Sequence, residues 1–533
     1  MKKFIYRPLI LLFALMATAG CFQDKSSLDT NKIDQVTIES PNIPDIIRVD
    51  YLQEVNFEVT VRSGSQINPE NFSYKWEINE TPGSTEFVEL GAGRVLKATL
   101  RNSIISVAYT LVFTARDELH GLEYQKVWPL YVSSAFREGI VVASTRDGST
   151  SDISLVMDNS ITTAYDRGEN VIHNIWKTAT DNALPSLVKN ITYTMHRPSA
   201  LLTKNLMTVI TADKDIKMYD CQDYSVYKTA DMIFPARNSS FDPQAFYTIN
   251  NQYWGLVSNN KLYMFATNQG ITAFLLPVSG TNYVNNAMII PDNTNGSGPY
   301  AFWLNNQDGQ IYNVAMTFTT PATGGAYTNS GSFNPSALTG REIIAGDVSM
   351  DGVTATMLCK TNQGNYEIYA MTFSFYDDNW NMTPSIPKLK ADMPAGLNSI
   401  LNEAVSVFFN MFDPVMYVAT STKLYAVNFG GGVVNYAEKY SAPAGEQITG
   451  AKLFVQGRYR LNRKDFNTTS GPIYEAPLAL NTKAVVVATQ GSGNSGNIYV
   501  IPQSNTATGD LNTASAKKYT GFGKILDFTF QGQ

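Results

Sequence analysis

The sequence predicts an all-β protein, an N-terminal β-sandwich followed by a seven-bladed β-propeller closed by the C-terminal strand. Three observations carry that expectation. First, from Gly139 onward one phrase recurs seven times: a short β-branched strand, a polar turn and a second strand, usually with an aliphatic–tyrosine pair. The copies start 47 to 69 residues apart, room for a four-stranded antiparallel sheet and its loops. Second, residues 32–134 carry short alternating segments at sandwich spacing. Third, residues 524–530 read as a strand with no following partner.

The chain opens with Lys2, Lys3 and Arg7, an apolar run over 9–16, and small residues 17–20 before Cys21. This pattern predicts a secretory leader over 1–20, too short to span a bilayer. Small residues directly before a cysteine suit lipoprotein processing, in which the thiol is alkylated with diacylglycerol and becomes the mature N-terminus, so Cys21 is the expected lipidation site. Ordinary cleavage after the small residues at 17–19 is the alternative. Several acyl chains, at about 0.8 kcal/mol per buried methylene, hold a protein on a membrane without a spanning helix. Residues 21–31 are mostly polar and read as a flexible tether.

Within 32–134 the expected strands are 36–38, 55–61, 72–78, 95–100, 109–115 and 126–132. Trp76, with Tyr74 and Ile78 at alternate positions, is expected to plug the sandwich core. Tyr109, Leu111 and Phe113 share the period of two and are expected to face it from a neighbouring strand.

The propeller is expected over 135–533. Its repeated strand pairs are 139–144 with 153–157, 206–211 with 216–219, 253–258 with 261–265, 301–304 with 310–314, 355–359 with 366–371, 415–420 with 423–427, and 484–489 with 497–501. The first copy begins directly with its second-strand type, so 524–530 is predicted to supply the inner strand of the first blade and to remove the exposed sheet edge. Candidate inner strands elsewhere are 191–195, 287–290, 342–347, 405–409 and 452–456. His196, Asp347 and Asn410 stand near the ends of such strands and are candidate ligand contacts in the axial channel; the alternative is that each is a satisfied polar plug. Trp254 and Trp303 lie inside repeated strands and are expected between blades. Trp380 follows Asp377, Asp378 and Asn379 in an apparent hairpin and is a candidate stacking face for a sugar ring or an apolar peptide side chain, with interblade packing as the alternative.

The net charge of −6 becomes −9 when Lys2, Lys3 and Arg7 leave with the leader, which argues against a nucleic-acid partner. Charged residues are only 16%, and Asn, Thr, Ser, Gly and Tyr crowd the loops, a surface suited to neutral sugars or peptides and equally to plain solvated turns. The basic knot Arg458, Arg460, Arg463 and Lys464 reads as a solvated insertion, or alternatively a contact for an anion or lipid headgroup. Cys221 and Cys359 are expected to be buried thiols rather than a disulfide. Three histidines without metal-ligand spacing predict no metal site, and no phosphate loop, dinucleotide fingerprint or nucleophile elbow occurs, so no cofactor and no catalysis are expected. Residues 147–152 have calcium-like oxygen spacing, but also stand where the first blade requires a polar hairpin.

The run Tyr74, Lys75, Trp76, followed by the strand from Tyr109 to the Arg116–Asp117 pair, resembles a PKD domain, an immunoglobulin-like sandwich. With Asp24 and Lys25 close behind Cys21, a single sandwich and a large repeat domain, the layout resembles the PKD-like family lipoproteins of Bacteroidetes. The paired acids that often follow the lipidated cysteine are replaced here by Phe22, Gln23 and Asp24. The resemblance implies an outer-membrane lipoprotein facing the cell exterior, or alternatively the periplasm. It also implies a place beside a SusC/SusD-type nutrient importer; with an anchor, a tether, a closed ring with polar loops and no catalytic motif, the expected role is a non-catalytic binding or accessory one, with a glycan or peptide as ligand. A propeller-based glycan- or peptide-degrading enzyme and a structural or adhesive surface protein are the alternatives, because a propeller by itself does not select among them.

Overall fold

The computed structural model describes residues 35–532 except 166, 200–201, 236–239, 249–252, 267–272, 275, 281–282, 290–298, 306, 316–324, 350–353, 374, 377–381 and 458–477. The described residues form two compact units: one within 35–49, 54–100 and 105–131, the other within 50–53, 101–104 and 132–532. Among the described residues no helix is long and apolar enough to cross a membrane.

The first unit is a β-sandwich. One sheet runs in the order Ile47–Asp50, Leu122–Ser133, Tyr109–Asp117, Phe72–Asn79, Phe87–Ala92; against it lie the pair Glu54–Glu58 and Val95–Thr99 and the strands Val36–Glu39, Thr60–Ser63 and Gln66–Ile67. Trp76 is wholly buried, stacked on Trp128 at 5.7 Å and tilted against its register partner Phe113 at 4.9 Å. Phe57 reaches it from the opposite layer, 6.5 Å between ring centroids. Its indole Nε1 donates to the Gly93 carbonyl at 3.1 Å, so the plug carries no stranded donor. The single strand expected over 55–61 is two strands in different sheets. The chain switches just after Val59, whose N–H makes the last bond of the first pairing, to the Arg94 carbonyl at 3.1 Å, before Thr60 joins the other sheet, and apolar alternation continues through the switch.

The second unit is a propeller of seven blades, with strands a to d counted from the axis outward. The seven repeated pairs are strands b and c of successive blades: Gly139–Thr145 with Asp152–Met157, Leu202–Thr211 with Ile216–Asp220, Tyr253–Ser258 with Lys261–Ala266, Pro299–Asn305 with Gln310–Ala315, Thr354–Thr361 with Tyr366–Thr372, Val415–Ala419 with Lys423–Asn428, and Ala484–Gln490 with Gly496–Asn505. These strands are buried on both faces because each blade is covered by its neighbours, hence their continuous apolar runs.

Strand a of blade 1 is Lys524–Gln531, antiparallel to Gly139–Thr145 with Val142 opposite Phe528. The chain's far end therefore closes its first blade. Gly523 makes the step from blade 7 to this strand, since a Cβ there would lie 2.3 Å from the Thr145 carbonyl oxygen. The other a strands are Val188–Ser199, Pro243–Thr248, Ala287–Ile289, Arg341–Val348, Ser406–Phe409 and Gln447–Leu453. The last of these departs from the expected 452–456. Phe454 and Val455 are buried beyond the strand end, and Gln456 turns aside to accept the Leu478 N–H and to donate to Thr163 Oγ1.

Among the described residues, apolar clusters at all seven blade junctions hold the ring. Val141 and Val209 share the cluster of blades 1 and 2, Leu206 and Trp254 that of blades 2 and 3, and Val257 and Trp303 that of blades 3 and 4. Phe302 with Met357, Leu358 with Val418, and Tyr417 with Val487 continue the series. Val486 with Val142 and Phe528 completes the circle between blades 7 and 1. At roughly 25 cal/mol per Å² of apolar surface removed from water, these junctions rather than any crosslink stabilise the domain. Cys221 and Cys359 are both buried and in no disulfide, and burial raises both thiol pKa values.

Candidate functional site

The seven a strands converge on an axial channel of about 560 Å³. Blade 2 contributes Asn190 and Thr192, blade 3 Tyr247 and Thr248, and blade 1 Thr529, while Phe408 and Phe530 add apolar surface. The lining is thus mixed, amides, hydroxyls and aromatic rings beside aliphatic Ile191, Ile344, Val407 and Leu453. Tyr247 Oη donates to Asn286 Oδ1 at 2.9 Å, and burial pushes this phenol up to about 12, so it remains a neutral donor. Thr248 Oγ1 donates to the Tyr193 carbonyl at 3.3 Å, linking blades 3 and 2.

Charge in the channel is sparse and largely compensated. Lys452 Nζ donates to Asp527 Oδ1 at 2.6 Å and to the Phe528 carbonyl at 2.5 Å, and lies 5.0 Å above the Phe528 ring. Asp527 Oδ2 in turn accepts the Ile191 N–H at 3.0 Å and Asn190 Nδ2 at 3.4 Å. A single carboxylate therefore clasps the a strands of blades 7, 1 and 2. Asp347 is the one carboxylate among the described lining residues, and its Oδ1 accepts the Val348 N–H at 2.8 Å.

Of the expected contacts, Asp347 lines the channel and also a crevice of about 290 Å³ between blades 5 and 6. Asn410 borders that crevice but not the channel. It is a buried polar plug: Nδ2 donates to Gln503 Oε1 at 3.2 Å and to the Thr506 carbonyl at 3.4 Å, and Oδ1 accepts the Phe412 N–H at 3.0 Å. His196 lines neither cavity. Its strand a continues past the channel as an overhang with strand b, and its ring packs on Trp254 at 5.1 Å and Tyr227 at 5.6 Å. Burial, aided by Lys228 and Lys204, lowers its pKa to about 4, so it is neutral at pH 7. Cys21 and Trp380 lie outside the described residues, as do Asp377, Asp378 and the basic knot.

No protein-family model matches the chain, and no curated protein matches it. Solved structures do. A quinoprotein alcohol dehydrogenase-like protein from Bacteroides thetaiotaomicron is 10% identical with a TM-score of 0.43, over 93% of this chain and 98% of that one. The WD40 domain of SCAP from fission yeast is 8% identical with a TM-score of 0.35, over 63% of this chain and 74% of that one. At these identities no ligand or chemistry carries over, and the assignment of seven blades rests on the strand pairings themselves.

Lys452 and Asp527 were not among the expected site residues. A signal existed for Asp527, a charge amid the apolar residues Ile525, Leu526, Phe528 and Phe530 of the last strand, whereas Lys452 stands near the end of a mixed strand with nothing to mark it. Trp254 and Trp303 are wholly buried between blades, as expected. Residues 147–152 form the polar hairpin: Asp147 Oδ1 accepts the Ser149 and Thr150 N–H groups, both at 2.8 Å, and these bonds, led by that from the Thr150 hydroxyl, lower its pKa.

Proposed function

We propose that the protein is a lipid-anchored, non-catalytic binding module whose channel receives a neutral ligand, a glycan or peptide, on behalf of an outer-membrane importer of the SusC/SusD kind. One observation carries the binding part: a channel of about 560 Å³, within the size range of ligand pockets, lined by amides, hydroxyls and aromatic rings beside aliphatic side chains, with the one lysine among the described lining residues already paired. The anchor rests on Cys21 behind the leader pattern, and the importer on the family resemblance alone. Against a glycosidase stands the lining itself, since the usual mechanism needs two carboxyl groups flanking the bond and the described lining offers only Asp347.

The test is an array of neutral glycans and peptides probed with the full-length protein and with Thr529→Trp, which places an indole in the channel. Binding that Thr529→Trp abolishes without lowering the melting temperature supports the reading. Turnover of a bound compound, lost in Asp347→Asn, replaces it with the enzymatic alternative. Recovery of an importer on pull-down from native membranes supports the accessory role, and its repeated absence favours a structural or adhesive one.

A further inference from the structure

We propose that the outer edge of the sandwich strand Phe87–Ala92 is a docking site that a partner protein enters as an added antiparallel strand, its basic–apolar–apolar–basic sequence laid against Glu86, Phe87, Val88 and Glu89. The site belongs to the first unit and is independent of the propeller channel.

Phe87–Ala92 is the outermost strand of its five-stranded sheet, paired on its inner side with Phe72–Asn79 and on its outer side with no strand among the described residues. Its two halves differ. The far half is tied down: a Cβ on Gly91 would lie 3.3 Å from Leu96 Cδ1, and the Gly93 carbonyl just beyond accepts the Trp76 indole N–H. The near half stands clear of the core, with Glu86 to Glu89 exposed in succession, Phe87 by 40% and Val88 by 52%. An unpaired edge is a template for another chain unless proline, lysine, a bulge or a covering element blunts it. The run 86–89 holds neither proline nor lysine, and the bulge of this strand falls at Leu90, past the regular pairs Asn79–Phe87, Ile78–Val88 and Glu77–Glu89.

The backbone is presented for pairing. The Glu86 carbonyl accepts the Glu80 N–H at 3.0 Å and so points into the sheet; across a trans peptide the next N–H points the opposite way, which turns that of Phe87 outward.

The side chains select the partner. Glu86 and Glu89 make no ion pair among the described residues, and Lys75, the cation whose charge also reaches Glu89, is bonded to Glu77 at 2.9 Å. An added strand sets one residue opposite each of the four, so lysine or arginine against each glutamate and aliphatic residues against Phe87 and Val88 complement the run. A second copy of this chain fits worse. Two copies paired with Phe87 on Val88 set Glu86 against Glu89 twice, like charges directly opposite.

The experiment titrates two capped, fluorescent peptides, Thr-Thr-Lys-Val-Val-Lys-Thr-Thr and its Glu-Val-Val-Glu counterpart, with the full-length protein. The lysine peptide is expected to bind about tenfold more tightly, with a preference that shrinks as salt rises. Phe87→Pro, which removes the outward N–H and spares the inner ladder, abolishes binding of the lysine peptide at an unchanged melting temperature. Glu86→Lys combined with Glu89→Lys reverses the preference, and this double variant, altered only at exposed side chains, decides alone if Phe87→Pro melts early. Equal affinity for the two peptides, a preference that the double variant does not reverse, or undiminished binding in a folded Phe87→Pro overturns the proposal. Binding of neither peptide overturns it too. Concentration-dependent dimerisation in sedimentation that Phe87→Pro removes also overturns it, by giving the edge to a second copy.

Discussion

Replacing Phe528 by alanine removes a ring from the junction of blades 7 and 1, where it is 1% exposed and packs with Val142 and Val486. Its strand is the chain's last, so the substitution reports on closure of the ring. A buried Phe→Ala change costs about 3–5 kcal/mol, the lost transfer energy plus the cavity. At about 2.1 cal/mol/K per residue, the roughly 390-residue span from Gly139 to Gln531 has an unfolding entropy near 0.8 kcal/mol/K, so the propeller transition should fall by about 4–6 °C. Scanning calorimetry at fixed scan rate measures it, with Leu119→Ala, at a site 75% exposed, as a control expected within about 0.5 kcal/mol of wild type. A Phe528→Ala protein melting with the wild type would mean that the C-terminal strand is not part of the cooperative ring, and the closure argument would fail.

Asp527→Asn and Lys452→Met should each destabilise the propeller by about 1–2 kcal/mol, and the double variant by less than their sum, because each single change leaves the other half of one clasp unmet; additivity in calorimetry would refute the pairing. Stability should also fall as pH drops from 6.5 towards 4. His196 stays neutral in the fold down to about 4 while the unfolded chain takes up a proton from 6.5, so unfolding binds protons across that window and acid favours it. Urea melts at pH 7 and pH 4.5 should show a gap that narrows in His196→Gln; an unchanged gap assigns the acid sensitivity elsewhere. Cys21→Ser should abolish incorporation of labelled palmitate in the native host, and retained labelling would remove the anchor from the account.

The strand pairs of the blades were legible because blades cover each other on both sides, which demands runs such as Ala484, Val485, Val486 and Val487 with no polar alternation to confuse the period. The a strands were harder. Pro243–Thr248 was not anticipated, since it opens on proline and mixes Gln and Tyr with apolar residues, as a strand facing a polar channel does. Short d strands such as Val226–Lys228 and Gly325–Ala326 carry no pattern long enough to read. At the site, Asp347 was legible as a polar residue at an inner-strand end. His196 was misplaced because sequence gives the phase of a strand but not how far it overhangs the ring. The crevice was invisible, because its walls come from two blades and meet only once the ring is built.

The most direct test of the central claim, that the axial channel is where this protein binds, is the affinity of a ligand selected on the full-length protein, remeasured on Thr529→Trp. The account predicts that the filled channel loses binding while the fold and its melting temperature persist. Undiminished affinity for the filled protein would place binding elsewhere and contradict it.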